Sequence, residues 1–248
     1  MFHTLAWYIS IGQAVDTDVT PVPDPVVLVQ NSHFVPQTQV RLNWCYAAST
    51  TLDRARFATP KTRVVTNPWI RPIENGIIPA DNPNVMDRTQ QPFLFNGLEE
   101  IQLLATSGLA TGNEDFFAVA SIGVASQPVP AGDIYPLRFT STTAAVDAAW
   151  SQLAVSFQDV LPVGTYAIVG LEVKSANAIA ARLILQGQQF RPGSLSISAL
   201  GNEQHSLFRQ RKPGVYGTFV QTALPLVEVL CDGADAAHEG YLDIIRVG

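Results

Sequence analysis

The chain has 248 residues, of which 47% are hydrophobic and 15% charged, and its formal net charge at pH 7 is −6. This composition excludes an intrinsically disordered chain, which combines few apolar residues with a high net charge. The chain also has no basic arm, so it lacks the electrostatic footprint of a protein that binds nucleic acid through its phosphates.

The N-terminal segment predicts a β-strand rather than a targeting signal. Its apolar residues alternate with period two, at Leu5, Trp7, Ile9 and Ile11. No positively charged region precedes them, as a secretory signal requires. No apolar run in the chain is long enough to cross a bilayer. We therefore expect the protein to begin near Met1 and to be made in a cytoplasm.

Short runs of Val, Ile, Leu, Thr and aromatic residues follow, separated by 17 prolines and 17 glycines. Many short strands with turns between them predict an all-β sandwich or barrel rather than βαβ units. In the first half the predicted strands are 26–29, 39–47, 62–66, 101–105 and 116–122. In the second half they are 165–174, 181–185, 194–199, 219–220, 226–230 and 241–247.

One segment, starting at Thr142, predicts a short helix. Its apolar residues have helical spacing, at Val146, Trp150, Leu153 and Phe157, and Thr142 or Thr143 is available as the N-cap. The end of the segment, residues 154–157, is equally typical of a strand, so this alternative stays open.

The sequence repeats itself once. At an offset of 126 residues, 35–57 aligns with 161–183 and 101–104 aligns with 227–230. At an offset of 125, 121–123 aligns with 246–248. A single long repeat indicates a duplicated domain rather than a solenoid, and each half has the usual size of one domain. We therefore predict two domains, 1–123 and 124–248.

The repeat also draws attention to arginine. Arg56 and Arg182 occupy matching places, which favours one architectural role with carboxylate or carbonyl partners. Anion binding by Arg54 and Arg56, which share a strand face, is the alternative. Two long irregular segments, 66–91 and 201–214, are typical of functional or interface loops. The structural or interface candidates are therefore Arg56, Arg182, Arg71, Arg191, Arg209, Arg211 and Tyr216.

Motifs for catalysis are not found. The four histidines, His3, His33, His205 and His238, form no pattern of metal ligands. The acidic pairs Glu99-Glu100 and Glu114-Asp115 are adjacent, so on strands they would point to opposite faces. No nucleophile elbow, Walker loop or dinucleotide fingerprint occurs. We predict that the chain is not an enzyme and has no catalytic, cofactor-binding or metal-binding residues.

Two cysteines, Cys45 and Cys231, lie in different halves and inside apolar runs. Their surroundings predict two buried, reduced thiols. A disulfide between the halves requires close Cα atoms, which the sequence cannot establish, so that alternative stays open.

Two similar strand-rich halves without catalytic motifs resemble the double jelly-roll major capsid proteins of icosahedral viruses. The resemblance depends on the repeat of 35–57 at 161–183 and on the matching ends at Gly123 and Gly248, and it covers the whole chain. It implies two tandem jelly-roll-like β-sandwiches with at most short helices. The chain is short for the family and lacks the basic arm of coat proteins that bind RNA directly.

The resemblance also implies a function. It implies a structural protein of the virion, made in the host cytoplasm, that self-associates as a homotrimer in an icosahedral shell. The implied partners are other capsid proteins and a membrane beneath the shell, without direct sequence-specific nucleic-acid binding. The main alternative is a tandem β-sandwich carbohydrate-binding or adhesin module. Other structural roles, such as a spike or a tail accessory protein, and an enzyme on a sandwich scaffold are weaker alternatives.

Overall fold

The computed structural model describes residues 2–11, 17–29, 32–36, 38–49, 52–60, 69–70, 74–75, 85–107, 114–124, 127–198 and 213–248. Within these ranges every regular element is a β-strand, so the all-β prediction is confirmed. None of these segments forms a helix with the length and apolar character that crossing a bilayer requires.

The chain divides into two compact units. The N-terminal unit is formed by Leu5–Ile78 and Asn84–Val124, and the C-terminal unit contains Ala125–Gly248. The first residues of the chain, Met1–Thr4, belong to the C-terminal unit. The domain bounds drawn from the repeat, 1–123 and 124–248, stay a prediction.

The strands are numbered in chain order. The first twelve are β1 (Phe2–Ile11), β2 (Thr17–Asp18), β3 (Leu28–Val29), β4 (Ser32–Phe34), β5 (Val40–Ser49), β6 (Leu52–Ala58), β7 (Trp69–Ile70), β8 (Glu74–Asn75), β9 (Met86–Asp87), β10 (Phe93–Phe95), β11 (Glu100–Ser107) and β12 (Glu114–Gly123). The others are β13 (Tyr135–Ser141), β14 (Trp150–Leu153), β15 (Ser156–Phe157), β16 (Thr165–Ser175), β17 (Ala178–Ile184), β18 (Gly193–Leu195), β19 (Ile197–Ser198), β20 (Gly217–Val220), β21 (Leu226–Cys231) and β22 (His238–Arg246).

Both units have the strand order of a jelly roll. In the N-terminal unit one sheet has the order β1-β12-β5-β10, and the other runs from β4 through β11 and β6 to β7. In the C-terminal unit the sheet that corresponds to the first has the order β13-β22-β16-β20. The sheet that corresponds to the second has the order β14-β21-β17-β18. The eight main strands of each unit therefore pair in the same order, which confirms two jelly-roll sandwiches.

The repeat is most regular in the hairpin of β5 and β6. Strands β5 and β6 end at Ser49 and Ala58. The corresponding strands β16 and β17 end 126 residues later, at Ser175 and Ile184. Each hairpin also carries a bulge at the same point, because Asn43 of β5 and Val169 of β16 are the extra residues against β12 and β22. A bulge that recurs at the repeat offset is a feature of the fold and not a local defect.

The offset becomes smaller toward the end of each unit. Phe95 pairs with Val40 and Phe219 pairs with Tyr166, so these strands are related by 124 residues. Ile122 pairs with Leu42 and Ile244 with Ile168, so the last strands are related by 122 residues. The sequence alignment of 121–123 with 246–248 is therefore wrong by three residues.

Each sandwich encloses its own apolar core. The N-terminal core contains alternate residues of its main strands, among them Leu5, Trp7, Leu42, Phe57 and Leu103. The C-terminal core is built in the same way, from residues that include Phe139, Ile168, Leu183, Val229 and Leu242. It also contains Phe2 from the start of β1.

The predicted helix from Thr142 to Phe157 is wrong. This segment contains β14 and β15, and Ala145 and Asp147 form single bridges to Asp235 and Cys231. Ala148 has a φ of 52°, which a right-handed helix does not accommodate. Pairing with β21 provides the backbone hydrogen bonds that a helix would have formed internally.

The other strand predictions agree with the structure in most places. The 26–29 run is extended only at β3, and the 194–199 run is divided between β18 and β19. The predicted strand 62–66 lies outside the described residues, as do most of the two long irregular segments.

Candidate functional site

Arg182 is the most deeply buried charged residue that the sequence singled out. It lies on β17 directly opposite Glu228 of β21, and its solvent exposure is 0%. Its Nε donates a hydrogen bond to Glu228 Oε2 over 2.6 Å. On the other side its guanidinium carbon lies 4.1 Å from the ring centre of Trp150 on β14. The charge is therefore balanced by a carboxylate and also stacked on an aromatic face.

Arg191 shares the same carboxylate. Its Nη1 lies 2.6 Å from Oε1 and 2.8 Å from Oε2 of Glu228. One carboxylate thus bridges two arginines, one on β17 and one just before β18. We call these three residues and Trp150 the arginine cluster.

The start of the chain is bound to the arginine cluster. Thr4 N donates to the Arg191 carbonyl over 3.0 Å, and Arg182 Nη1 donates to the Thr4 carbonyl over 3.2 Å. His3 Nδ1 accepts a hydrogen bond from Arg191 N over 2.9 Å, so this ring nitrogen carries no proton. Residues 3 and 4 are therefore held in place by both backbone and side-chain groups.

Gly193 permits this close approach. A side chain at this position would collide with the Ala181 carbonyl oxygen and would also come within 2.9 Å of Thr4 Oγ1. The β17–β18 pair and residue 4 can therefore pack together only when position 193 has no Cβ.

The other predicted site residues have different surroundings. Arg56 is half-buried on β6, at the position that corresponds to Arg182. The residue that pairs with Arg56 on the neighbouring strand is Leu104, whereas the residue that pairs with Arg182 is the carboxylate Glu228. Tyr216 is buried in the C-terminal core, with its ring 5.0 Å from that of Phe2. The remaining candidates, Arg71, Arg209 and Arg211, lie outside the described residues.

Sequence reasoning missed Glu228, Trp150 and the role of the first residues. The repeat aligned Glu228 with Gln102, which concealed its pairing with Arg182. One signal was present, because Glu228 is the single charge within the otherwise apolar strand 226–231. A lone charge in such a strand often belongs to a buried pair.

Asp235, Glu99 and Glu100 are bound to groups of their own surroundings. Asp235 accepts hydrogen bonds from Asn177 N and Ala237 N. Burial tends to raise its pKa, but these bonds, the nearby Ser175 hydroxyl and His238 outweigh that effect and lower it. Glu99 bonds to Asn96, whereas Glu100 accepts from Ser32 and Gln102, so these neighbours do not act as a pair.

The described residues contain neither a cluster of metal ligands nor an exposed thiol. The described residues contain no group of three or more His, Cys, Asp or Glu side chains placed to hold a metal ion. Cys45 and Cys231 are both buried free thiols. Burial raises the pKa of the Cys45 thiol, and burial together with Asp235, Asp147 and Asp232 raises that of Cys231 to about 12.

Large apolar side chains are exposed on both units. In the C-terminal unit Val160 and Val163 are 93% and 82% exposed. Val160 also lines an open groove of about 400 Å³, in which Val155, Phe157 and Leu224 lie together with the polar Ser156, Asp159 and Gln221. A second groove of about 380 Å³ has a mainly apolar surface, although Ser141, Lys174 and Asp235 are among its lining residues. Among the described residues of the N-terminal unit, the most exposed large apolar side chain is that of Leu98, at 69%.

Comparison with known proteins yields similarity in structure only. No protein-family model and no curated protein matches the sequence. The structure is similar to the crystal structure of the STIV MCP, with 8% identity and a TM-score of 0.26 over 99% of this chain and 97% of that one. It is also similar to the major capsid protein P2 from bacteriophage PM2, with 12% identity and a TM-score of 0.24 over 100% and 98% of the two chains. The jelly-roll assignment rests on the strand pairing described above.

Proposed function

We propose that this chain is a major capsid protein, a structural component of a virus particle that assembles as trimers into an icosahedral shell. The observation that carries the proposal is the duplicated jelly roll, with one strand order in both units and a bulge repeated at Asn43 and Val169. Jelly rolls form the shells of many viruses, but they also occur in lectins and cupins, so the fold alone does not decide the function.

The exposed apolar surface supports self-association. Val160, Val163 and Leu98 are each more than two-thirds exposed, and Val146 is 63% exposed. Soluble monomers rarely expose large contiguous apolar patches, because these promote aggregation. When a chain covers such surface with copies of itself, closed symmetry is the usual result.

The location and partners follow from the same proposal. We propose that the protein resides in the virion after synthesis in the host cytoplasm and that it contacts other capsid proteins and a membrane beneath the shell. The net charge of −6 does not suit direct binding to a nucleic-acid genome. We propose that the role is structural rather than enzymatic.

Assembly of the purified chain tests the proposal. We expect mass photometry at micromolar concentration to detect a species of three times 26.8 kDa, and negative-stain microscopy to detect closed shells. The double variant Val160→Asp and Val163→Asp should reduce assembly, while the matched variant Gln127→Asp and Gln189→Asp, also at exposed positions, should not. A stable monomer that binds a glycan would contradict the proposal and support the carbohydrate-binding alternative.

A further inference from the structure

Leu98 combines high exposure with an unusual backbone. It is the third residue of the turn from Asn96 to Glu99, which is closed by a hydrogen bond from Glu99 N to the Asn96 carbonyl. Its φ is +63°, a left-handed conformation that favours Gly or Asn and is strained for leucine. Gly97 stands one position earlier and does not have a positive φ. The sequence thus places the glycine where it is not needed and a large apolar residue where glycine would relieve strain.

The strand that precedes this turn carries a second exposed leucine. Leu94 on β10 is 46% exposed and lies four residues before Leu98. It pairs directly with Arg41 of β5, so the two side chains lie on the same face of the sheet. We call Leu94 and Leu98 the apolar knob, with Arg41 as the adjacent cation.

The C-terminal unit carries a concave surface. The groove of about 400 Å³ is lined by the apolar residues Val155, Phe157, Val160, Leu161 and Leu224 and by the polar residues Ser156, Asp159 and Gln221. We call it the apolar groove after the larger set. Its charged lining residue is Asp159, which is exposed. The groove has room for a large aliphatic side chain, and it is open to solvent in the single chain.

We propose that the apolar knob of one copy of this chain docks into the apolar groove of a second copy, with Leu98 as the anchor. The inference rests on the proposed function, because it identifies a contact through which the chain would self-assemble. Knob and groove lie on different parts of one chain, so the contact is heterologous and can continue from copy to copy until a ring closes. Strained residues are retained where they serve a function, and this contact accounts for a leucine at position 98.

The charges around the two surfaces are complementary. Arg41 stands beside the knob and forms no ion pair with the described part of the chain. Asp159 stands in the groove lining. The acidic residue next to Leu98 is Glu99, and its carboxylate is engaged by Asn96 N and Nδ2, each over 2.9 Å. Opposite charges at the rim of a contact favour the correct partner and speed association.

A variant that stabilises the fold while it weakens assembly tests the anchor. Leu98→Asn should relieve backbone strain and raise the Tm by about 2–4 °C, as about 1 kcal/mol does in a chain of this size. The same variant should weaken self-association at least about tenfold, because it removes an apolar anchor. The matched control is Ala148→Asn, which relieves a φ of 52° at a position outside both surfaces. This control should raise the Tm without a change in association.

A charge exchange tests the pairing of the two surfaces. Arg41→Asp and Asp159→Arg should each weaken association in sedimentation experiments on the full chain, and the double variant should restore it to within about threefold. If Leu98→Asn associates like the wild type, or if the double variant fails to recover, the inference is overturned while the capsid function stands. A wild-type chain that remains monomeric at all concentrations overturns the proposed function itself.

Discussion

Arg182 and Glu228 form a buried ion pair between two neighbouring strands of the C-terminal sandwich, with Nε 2.6 Å from Oε2. Glu228 also binds Arg191, and Arg182 reaches the Thr4 carbonyl, so this pair links the start of the chain to β17 and β21. Replacing a buried ion pair by well-packed apolar residues of similar volume is often neutral for stability or even stabilising. Loss of one partner is nevertheless costly, because the remaining charge stays buried.

We expect Glu228→Gln to destabilise the protein by about 3–5 kcal/mol, since two arginines would lose their common carboxylate. The measurement is the free energy of unfolding from denaturant titration. The control is Glu239→Gln, which removes the carboxylate of the ion pair between Glu239 and Arg138, 3.0 Å apart. Both side chains of this pair are about 40% exposed. This control should cost about 1 kcal/mol or less. Equal effects of the two variants would mean that the arginine cluster is not a buried charge site.

The division of β1 between two cores leads to a second prediction. Phe2 belongs to the C-terminal core, where it contacts Tyr216, whereas Leu5 belongs to the N-terminal core. Phe2→Ala should lower hydrogen-exchange protection in β16 and β22, and Leu5→Ala should lower it in β5 and β12. Each substitution should cost about 2–5 kcal/mol. If both variants loosen the same unit, the assignment of residues 2–4 to the C-terminal unit is wrong.

The repeat could be recognised from the sequence although its register was partly misjudged. Side chains alternate along a strand with period two, so a shift of two residues leaves every apolar position on the same face. The alignment at 126 therefore seemed in phase over 101–104, although pairing relates Leu104 to Glu228 and not to Leu230. In the last strands the offset of 125 is too large by three residues, and it matches the core residue Phe116 with Tyr241, which is not part of the C-terminal core.

The missing helix and the arginine cluster have a common physical reason. Helical spacing at Val146, Trp150 and Leu153 describes a local pattern, but pairing with β21 decides the structure of that segment. Arg182 could be selected from the repeat, whereas its partners Glu228 and Thr4 are 46 and 178 residues away along the chain. Contacts between such distant residues depend on topology, which sequence periodicity does not specify.

The two cysteines should be unreactive in the folded protein. Both thiols are buried, and burial raises the pKa of each, so neither forms the reactive thiolate near neutral pH. We expect a colorimetric thiol reagent to modify no cysteine at about pH 8, close to the ordinary thiol pKa, and to modify both after denaturation. Rapid modification of the native protein, or the absence of free thiols after denaturation, would contradict this prediction.

Glu172 gives a prediction about pH. It is buried on β16, where burial and then the nearby Asp243 raise its pKa, while Lys174 opposes the shift. Because the folded-state pKa exceeds the unfolded-state value, the folded protein binds the proton more tightly. The contribution of Glu172 to the free energy of unfolding should therefore rise as the pH falls from neutral through the folded-state pKa. The gain should be complete below the ordinary glutamate value.

Glu172→Gln should remove this contribution to the pH dependence and stabilise the protein at neutral pH, where the wild-type carboxylate is a buried charge. The measurement is the free energy of unfolding of both proteins across the acidic range. The difference between them should shrink as the pH approaches the ordinary glutamate value. Asp235→Asn is the counterpart with opposite sign, because the pKa of Asp235 is lowered. It should destabilise the protein at neutral pH, with an effect that disappears as the pH falls through the folded-state pKa. If Glu172→Gln destabilises the protein at neutral pH, then the ionised form of Glu172 is favoured by the fold and the predicted sign is incorrect.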